Sequence, residues 1–545
     1  MPARIFVFGI DGATFDVVSP MVASGRLPNL GRLLCEGSCG LLRSTIHPIT
    51  PAAWSSFATG MNPGKHGVFD FSSPNRATYG VKLNNASDRR CESVWGRLSR
   101  EKKHVAVVNV PFTYPPEAVN GILVSGFDTP GANRSMSHPR EVYDELVARF
   151  GSYTPDWSFP AGRRYDPERY RQNVLDVIRQ RGETTLFLME KYPWDFFMTV
   201  FQSIDHVQHV FFGMGEWGLE FIRQAYEAVD HELGRVLERL DADTVVMVVS
   251  DHGAGDIRKV FFLDQWLERE RYLVPKPGAM LEGFLRQLGK RGRKLAKAIL
   301  PTAARGYLRG RMPGMRDMVV SLSSSAPVDW SRTRAYSAGM YGNIFINLQG
   351  REAQGIVPQS EYAALCDEIR ERLLRLEDPD SGEKVVEAVY HRDEVYSGPF
   401  VADAPDLLIH WKDYAYFTKK GIDKAGQIFS SELTLDASNF PHSGTHRLDG
   451  IFLARGACIR PGQWLSGLRI VDVAPSLLYL QGAAIPNDLD GHLKTEMFDD
   501  GYLSANPPRY TSDGATREPP TQTPPSPLED DEILRERLRS LGYVE

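Results

Sequence analysis

Val245-Val246-Met247-Val248-Val249-Ser250-Asp251-His252-Gly253 carries five apolar residues straight into two metal-type ligands and a glycine. An unbroken apolar run of this length, with no polar alternation, suits a strand buried on both faces. That is the mark of a parallel sheet covered by helices. Similar runs recur at Ile5–Ile10, Val105–Val110, Ile122–Val124, Phe196–Phe201, Leu407–Ile409 and Ile451–Leu453. Among them, Phe221–Leu240 sets Ile222, Tyr226, Val229, Leu233, Val236 and Leu240 along one helical stripe. The alternation predicts an α/β fold, a doubly wound and mostly parallel sheet sandwiched by helices.

The residues just beyond the strands matter more for function. Asp11 directly succeeds the first run, Asp205 and His209 come after the run ending at Phe201, and Asp251 and His252 after Val249. Open α/β sheets bind ligands at the carboxyl ends of their strands, so separate segments deliver ligands to one edge. His446, in Ser443-Gly444-Thr445-His446-Arg447 just before the run at Ile451, is a fourth candidate segment. Carboxylates plus imidazoles are a donor set for zinc, with manganese the alternative. Each piece has a plainer reading. Asp11 can cap a helix, Asp205-x-x-x-His209 can be an exposed pair one helical turn apart, and Ser250–Gly253 can be a turn. Their joint placement at strand ends favours a metal site.

The nucleophile candidate lies in Pro48-Ile49-Thr50-Pro51-Ala52-Ala53-Trp54-Ser55-Ser56-Phe57-Ala58-Thr59-Gly60. Pro51 as the first helical residue makes Thr50 the N-cap, with Gly60 the stop. Thr50 can merely cap a short helix. The same position also puts its hydroxyl in a positive dipole field beside free backbone N–H groups, a natural phosphate site. Metal coordination would make that hydroxyl a usable nucleophile.

The 545 residues allow one large α/β domain with insertions, and the net charge of -6 argues against a nucleic-acid scaffold. The apolar start at Ile5–Ile10 is too short for a secretory signal. The five cysteines, Cys35, Cys39, Cys91, Cys366 and Cys458, read as free thiols, which places the protein in the cytoplasm. Residues 1–256 and 329–502 read as two parts of a catalytic core, split by a basic helical lid at 257–328. Residues 503–545 read as a disordered linker ending in a short helix at Asp530–Leu541. Within the lid, 281–316 concentrates Arg286, Lys290, Arg291, Arg293, Lys294 and Lys297. That is either a solvated face or a contact with an anionic membrane or a lipid-linked substrate.

Asp11-Gly12, Leu27-Pro28-Asn29-Leu30, Thr50, Thr59-Gly60, Pro63, His66-Gly67, Asp205-x-x-x-His209, Ser250-Asp251-His252-Gly253 and His446 occur in the order of one family. Asp472-Val473-Ala474-Pro475-Ser476 and Asp490-Gly491 also fit. The chain resembles the type I phosphodiesterase/nucleotide pyrophosphatase branch of the alkaline phosphatase superfamily, with its phosphohydrolase/phosphomutase group. The resemblance implies a small phosphorylated substrate, a phosphothreonine intermediate on Thr50, and two divalent metal ions. Asp205, His209 and His446 would hold one metal, and Asp11, Asp251 and His252 the other, with Thr50 bound to it. His442 competes with His446, but the Gly-x-His form fits His446 better. One departure concerns the substrate: the Asn that the pattern places five residues after His66 to hold a phosphoryl oxygen is Phe71 here. Sulfatases need a Cys or Ser in a different context from Thr50-Pro51, and phosphomutases of this fold typically use Ser. Phosphoethanolamine transferases need membrane helices. A non-enzymatic relic conflicts with a full set of ligand positions.

Overall fold

The computed structural model describes residues 3–155, 166–276, 328–419, 426–433, 442–514 and 534–535. A nine-stranded sheet forms its centre. Its strands are β1 (Ile5–Ile10), β2 (Ser38–Arg43), β3 (Val105–Val110), β4 (Gly121–Ser125), β5 (Ser137–His138), β6 (Phe196–Phe201), β7 (Val245–Val249), β8 (Asp449–Arg455) and β9 (Gln463–Arg469). They lie in the order β9-β2-β8-β7-β1-β6-β3-β4-β5. β5 and β8 run against the strands beside them. β1, β3, β6 and β7 are buried at every position, as unalternating apolar runs require of strands covered on both sides.

Odd and even residues feed two cores. Phe6, Phe8, Phe197 and Phe201 meet the helical layer containing Tyr226 and Leu233. Val7, Met198, Val200 and Met247 meet Ala53, Trp54 and Phe57 of helix α1 (Thr50–Thr59). Gly9 permits this second contact, because a Cβ there would lie 2.7 Å from Val200 Cγ2 and 3.1 Å from the Trp54 ring. The amphipathic helix read at Phe221–Leu240 spans Gly215–Leu237.

The second lobe differs from its sequence reading. Leu407–Trp411 belongs to an antiparallel four-stranded sheet with Ala335–Ala338, Asn343–Ile346 and Val386–His391, not to the central sheet. A further strand, Lys259–Phe262, lies between Tyr416–Lys419 and Phe429–Ser430. Both sheets share one apolar core, including Phe261, Trp266, Ile344, Ile369, Ile409 and Trp411. The interruption of the central fold therefore extends from 257 past 328 to about Ser430, and the central sheet resumes only with β8. A short apolar run looks the same in any buried sheet, so periodicity could not tell the two apart. The basic residues of 281–316 lie outside the described residues.

The linker read from 503 also begins too early. Asp500–Ala505 is helical, Tyr510–Thr511 pairs with Ile485–Pro486, and Asp513 accepts a hydrogen bond from Arg100. Further on, Leu534 is buried in the apolar cluster that holds Ile49, Ala52 and Phe71 beside the Thr50 turn. The rest of 515–545 lies outside the described residues. No described helix is long and apolar enough to cross a membrane.

Candidate metal centre

The carboxyl ends of β1, β6 and β7 converge on α1. Asp11 leaves β1 with its N–H on the Phe201 carbonyl of β6, and its Oδ2 accepts the Trp54 indole N–H at 2.9 Å. Helix α2 (Ser203–Phe211) comes after β6 and puts Asp205 and His209 one turn apart on the same face. Asp251 and His252 lead from β7 into Gly253–Asp256, which pairs with Gly444–Arg447 and so brings His446 opposite Ala254. His446 thus sits on a strand rather than in a loop. Thr50 is the first residue of α1, and Ile49 occupies the cap position, one residue earlier than the Pro51 rule implies. The Thr50 hydroxyl is thereby released from capping.

Two donor groups result. His209 Nε2 and His446 Nε2 lie 3.4 and 3.3 Å from Asp205 Oδ1, and 2.9 Å from each other. His252 Nε2 lies 3.5 Å from Asp11 Oδ1, 3.2 Å from Asp251 Oδ2 and 3.4 Å from Thr50 Oγ1. The His252 and His446 rings stack at 3.6 Å, so the groups abut. All seven residues are buried. His442, the alternative to His446, stacks on His209 at 4.8 Å and is in neither of the two clusters Asp205–His252–His446 and Asp11–Asp251–His252, in which His252 is shared and His209 stands beside the first.

The histidine tautomers are fixed by their outer partners. Each Nδ1 faces a backbone carbonyl: Gly444 for His209 at 2.9 Å, Gly253 for His252 at 3.0 Å, and Pro48 for His446 at 2.6 Å. A carbonyl only accepts, so each Nδ1 carries the proton and each Nε2 turns a lone pair inward. Two lone pairs facing each other at 2.9 Å repel unless a cation or proton lies between them. Asp11 Oδ1 and Asp251 Oδ2 are buried without a hydrogen-bond partner among the described residues. Burial, with the charges of Asp251 and Asp205, pushes the Asp11 carboxyl well above its usual range, and burial with Asp205 does the same to Asp251. Burial drives His252 well below its usual value and lowers His446. Burial opposes ionisation of Asp205 too, but positive charge on His209 and His446 would hold its carboxyl well below the usual range, the place a cation takes when the imidazoles are neutral, and Asp205 raises His209 in turn. Crowded acids and inward lone pairs fit divalent cations.

The profile of the type I phosphodiesterase / nucleotide pyrophosphatase family matches residues 5–434. The chain belongs to that family. It is accordingly a phosphoric ester hydrolase of a metal-dependent family. Among solved structures it is similar to phosphonoacetate hydrolase from Sinorhizobium meliloti in complex with phosphonoformate, at 15% identity and a TM-score of 0.54, covering 88% of this chain and 96% of that one. It is also similar to human ectonucleotide pyrophosphatase / phosphodiesterase 5, at 12% identity and a TM-score of 0.47, covering 88% and 95%. The first likeness supports the alkaline-phosphatase-like fold. Comparison with curated proteins finds no match.

Other motif residues of this family member brace the centre rather than enter it. The backbone N–H groups of Asn29 and Leu30 bond the Asp230 carboxylate. Gly60, at φ 69°, turns its carbonyl to the N–H groups of Asp490 and Gly491. His66 Nδ1 accepts the Val68 N–H, so its Nε2–H donates to Ser56 Oγ at 2.9 Å and holds α1 from outside. Burial and the nearby Arg89 lower the His66 pKa to about 3, which keeps it neutral. Trp54 is the closest such support, and removing its N–H frees Asp11 Oδ2. We expect Trp54→Phe to weaken metal binding about 10- to 100-fold with the fold intact, as titration calorimetry would measure.

Proposed function

We propose that this enzyme hydrolyses phosphoesters through a phosphothreonine formed on Thr50, with divalent ions held by Asp205, His209 and His446 and by Asp11, Asp251 and His252. The observation that carries it is the buried Thr50 hydroxyl, 3.4 Å from His252 Nε2 at the start of a ten-residue helix. The bound ions supply charge that favours ionised ligands and lowers the cost of deprotonating Thr50. Zinc suits the donor set, with manganese the alternative.

Thr50 Oγ1 loses its proton and bonds phosphorus, and the ester oxygen on the opposite side departs and takes up a proton from solvent. Water then attacks the phosphothreonine and restores the hydroxyl. At the start of α1, where Pro51 has no N–H and the Ala53 N–H bonds Ile49, the N–H groups of Thr50 and Ala52 have no acceptor within the helix and would meet the developing phosphoryl charge. Trp54 keeps Asp11 oriented, and the backbone carbonyls of Pro48, Gly253 and Gly444 keep the three imidazoles in one tautomer. With Thr50 and its neighbours buried, bulk water is excluded and charge interactions strengthen.

The substrate is a small phosphorylated molecule, acted on by a cytoplasmic enzyme whose five cysteines are free. The test is a panel of monoesters, diesters, pyrophosphates and phosphonates, assayed after chelation and after zinc or manganese add-back. Hydrolysis that returns only with metal is expected. Hydrolysis unaffected by chelation would overturn the metal assignment.

A further inference from the structure

The phosphoryl-holding Asn of the family pattern is Phe71 here, and the fold shows that no small repacking restores it. Phe71 is buried among Ile49, Ala52 and Phe127, edge-on to the Phe127 ring at 5.9 Å. An amide donor must come from elsewhere if a phosphoryl oxygen is to be held. The carboxyl end of β6 carries one.

Gln202 is the first residue after β6 and is 1% exposed, yet neither its Oε1 nor its Nε2 has a hydrogen-bond partner among the described residues. A buried amide with both ends unsatisfied is rare and needs a partner, a ligand or an ordered water. Its position fits a ligand. Phe201 pairs with Ile10 and its carbonyl accepts the Asp11 N–H at 3.1 Å, so Gln202 leaves β6 beside the point where Asp11 leaves β1. Met198 and Val200 of β6 face α1, and Gln202, where the backbone turns helical, opens α2, the helix that carries Asp205 and His209.

A second observation marks the same spot. Asn109, near the end of β3, has φ 58° and donates its Nδ2–H to the Val200 carbonyl at 3.0 Å. Its Oδ1 is buried with no partner among the described residues. Left-handed backbone at a non-glycine residue concentrates at functional sites. Two amides at the carboxyl ends of neighbouring strands thus present unpartnered groups, one of them on the residue that leads into the helix of Asp205 and His209.

We propose that Gln202 takes over the role of the missing Asn, donating its Nε2–H to a non-bridging oxygen of the phosphoryl group attacked by Thr50. This rests on the phosphothreonine reading and adds the residue that orients the substrate. Gln202 is a substrate-holding residue, whereas Asn109 keeps that strand end in place.

The test compares wild type with Gln202→Met, which keeps the volume and removes the donor. On a diester hydrolysed by the wild type, kcat is expected to fall about 100-fold or more, the usual loss for one such donor. Replacing one non-bridging oxygen with sulfur should slow the wild type for one diastereomer. That selective slowing should shrink in Gln202→Met, which a purely structural role would not produce. Orthovanadate, a phosphoryl mimic, should raise the wild-type Tm and raise that of the variant much less. An unchanged kcat, sulfur effect and vanadate shift would overturn the proposal. If Gln202→Met does not fold, Gln202→Leu also removes the donor, and full activity in it would overturn the proposal equally. The vanadate comparison needs no turnover, so it judges Gln202 even if Thr50→Ala shows the covalent reading to be wrong.

Discussion

Thr50→Ala is expected to lower turnover by about 10⁴-fold or more, the scale seen when a covalent nucleophile is removed. Two features make the loss that large. The hydroxyl is buried 3.4 Å from His252 Nε2, and it stands on the first residue of α1. The fold should survive, because Thr50 contributes its backbone at the helix start, where Ala is compatible, and because Ile49 accepts the first helical hydrogen bond from Ala53. Metal content should also persist, since six other side chains make up the two groups. The decisive measurement is acid-quenched labelling from a phosphorus-labelled substrate. Label on Thr50 in wild type and none in Thr50→Ala is the expected pair, and near-normal turnover by the variant would rule out the intermediate.

Removing metal ligands should have the next largest effect. His446→Ala takes one of three donors from the group around Asp205 and also empties the Gly444–Arg447 strand of its inward imidazole. Asp251→Ala does the same for the group around His252. Each variant should bind about one ion where wild type binds two, and each should fall to near background activity. Metal analysis by mass spectrometry checks the counts, and fewer than two ions per wild-type chain would refute the scheme. Stability should move as well. The ligands come from β1, α2, the β7 end and the Gly444–Arg447 strand, so ions bound only to the folded chain stabilise it, by about 2.7 kcal/mol at a hundredfold excess over Kd. Chelated protein should therefore melt earlier, and add-back should restore the Tm.

Much of this candidate site was legible because its candidate ligands are local to strand ends. Asp11, Asp205 and Asp251 each come within a few residues of an apolar run, and His209 and His252 stand in a fixed relation to them. Gln202 was not legible. It carries no motif, and only the finding that its buried amide lacks partners among the described residues separates it from any glutamine at a helix start. The position of Thr50 was read to within one residue, because Pro51 tolerates either of the first two helical places.

The sequence by itself determined the parallel character of the main sheet, the identity of the family and the residues available as ligands. Those depend on short-range patterns: apolar runs, glycine turns and acids placed just beyond strands. Tertiary structure decided the rest. It assigned Leu407–Trp411 to a second lobe, since which sheet a buried strand joins depends on long-range pairing. It seated Leu534 among residues beside the Thr50 turn, nearly five hundred positions earlier in the chain. It also set the tautomers of His209, His252 and His446 through carbonyls distant in sequence or freed by turns, and a lone pair's direction exists only once those carbonyls are in place.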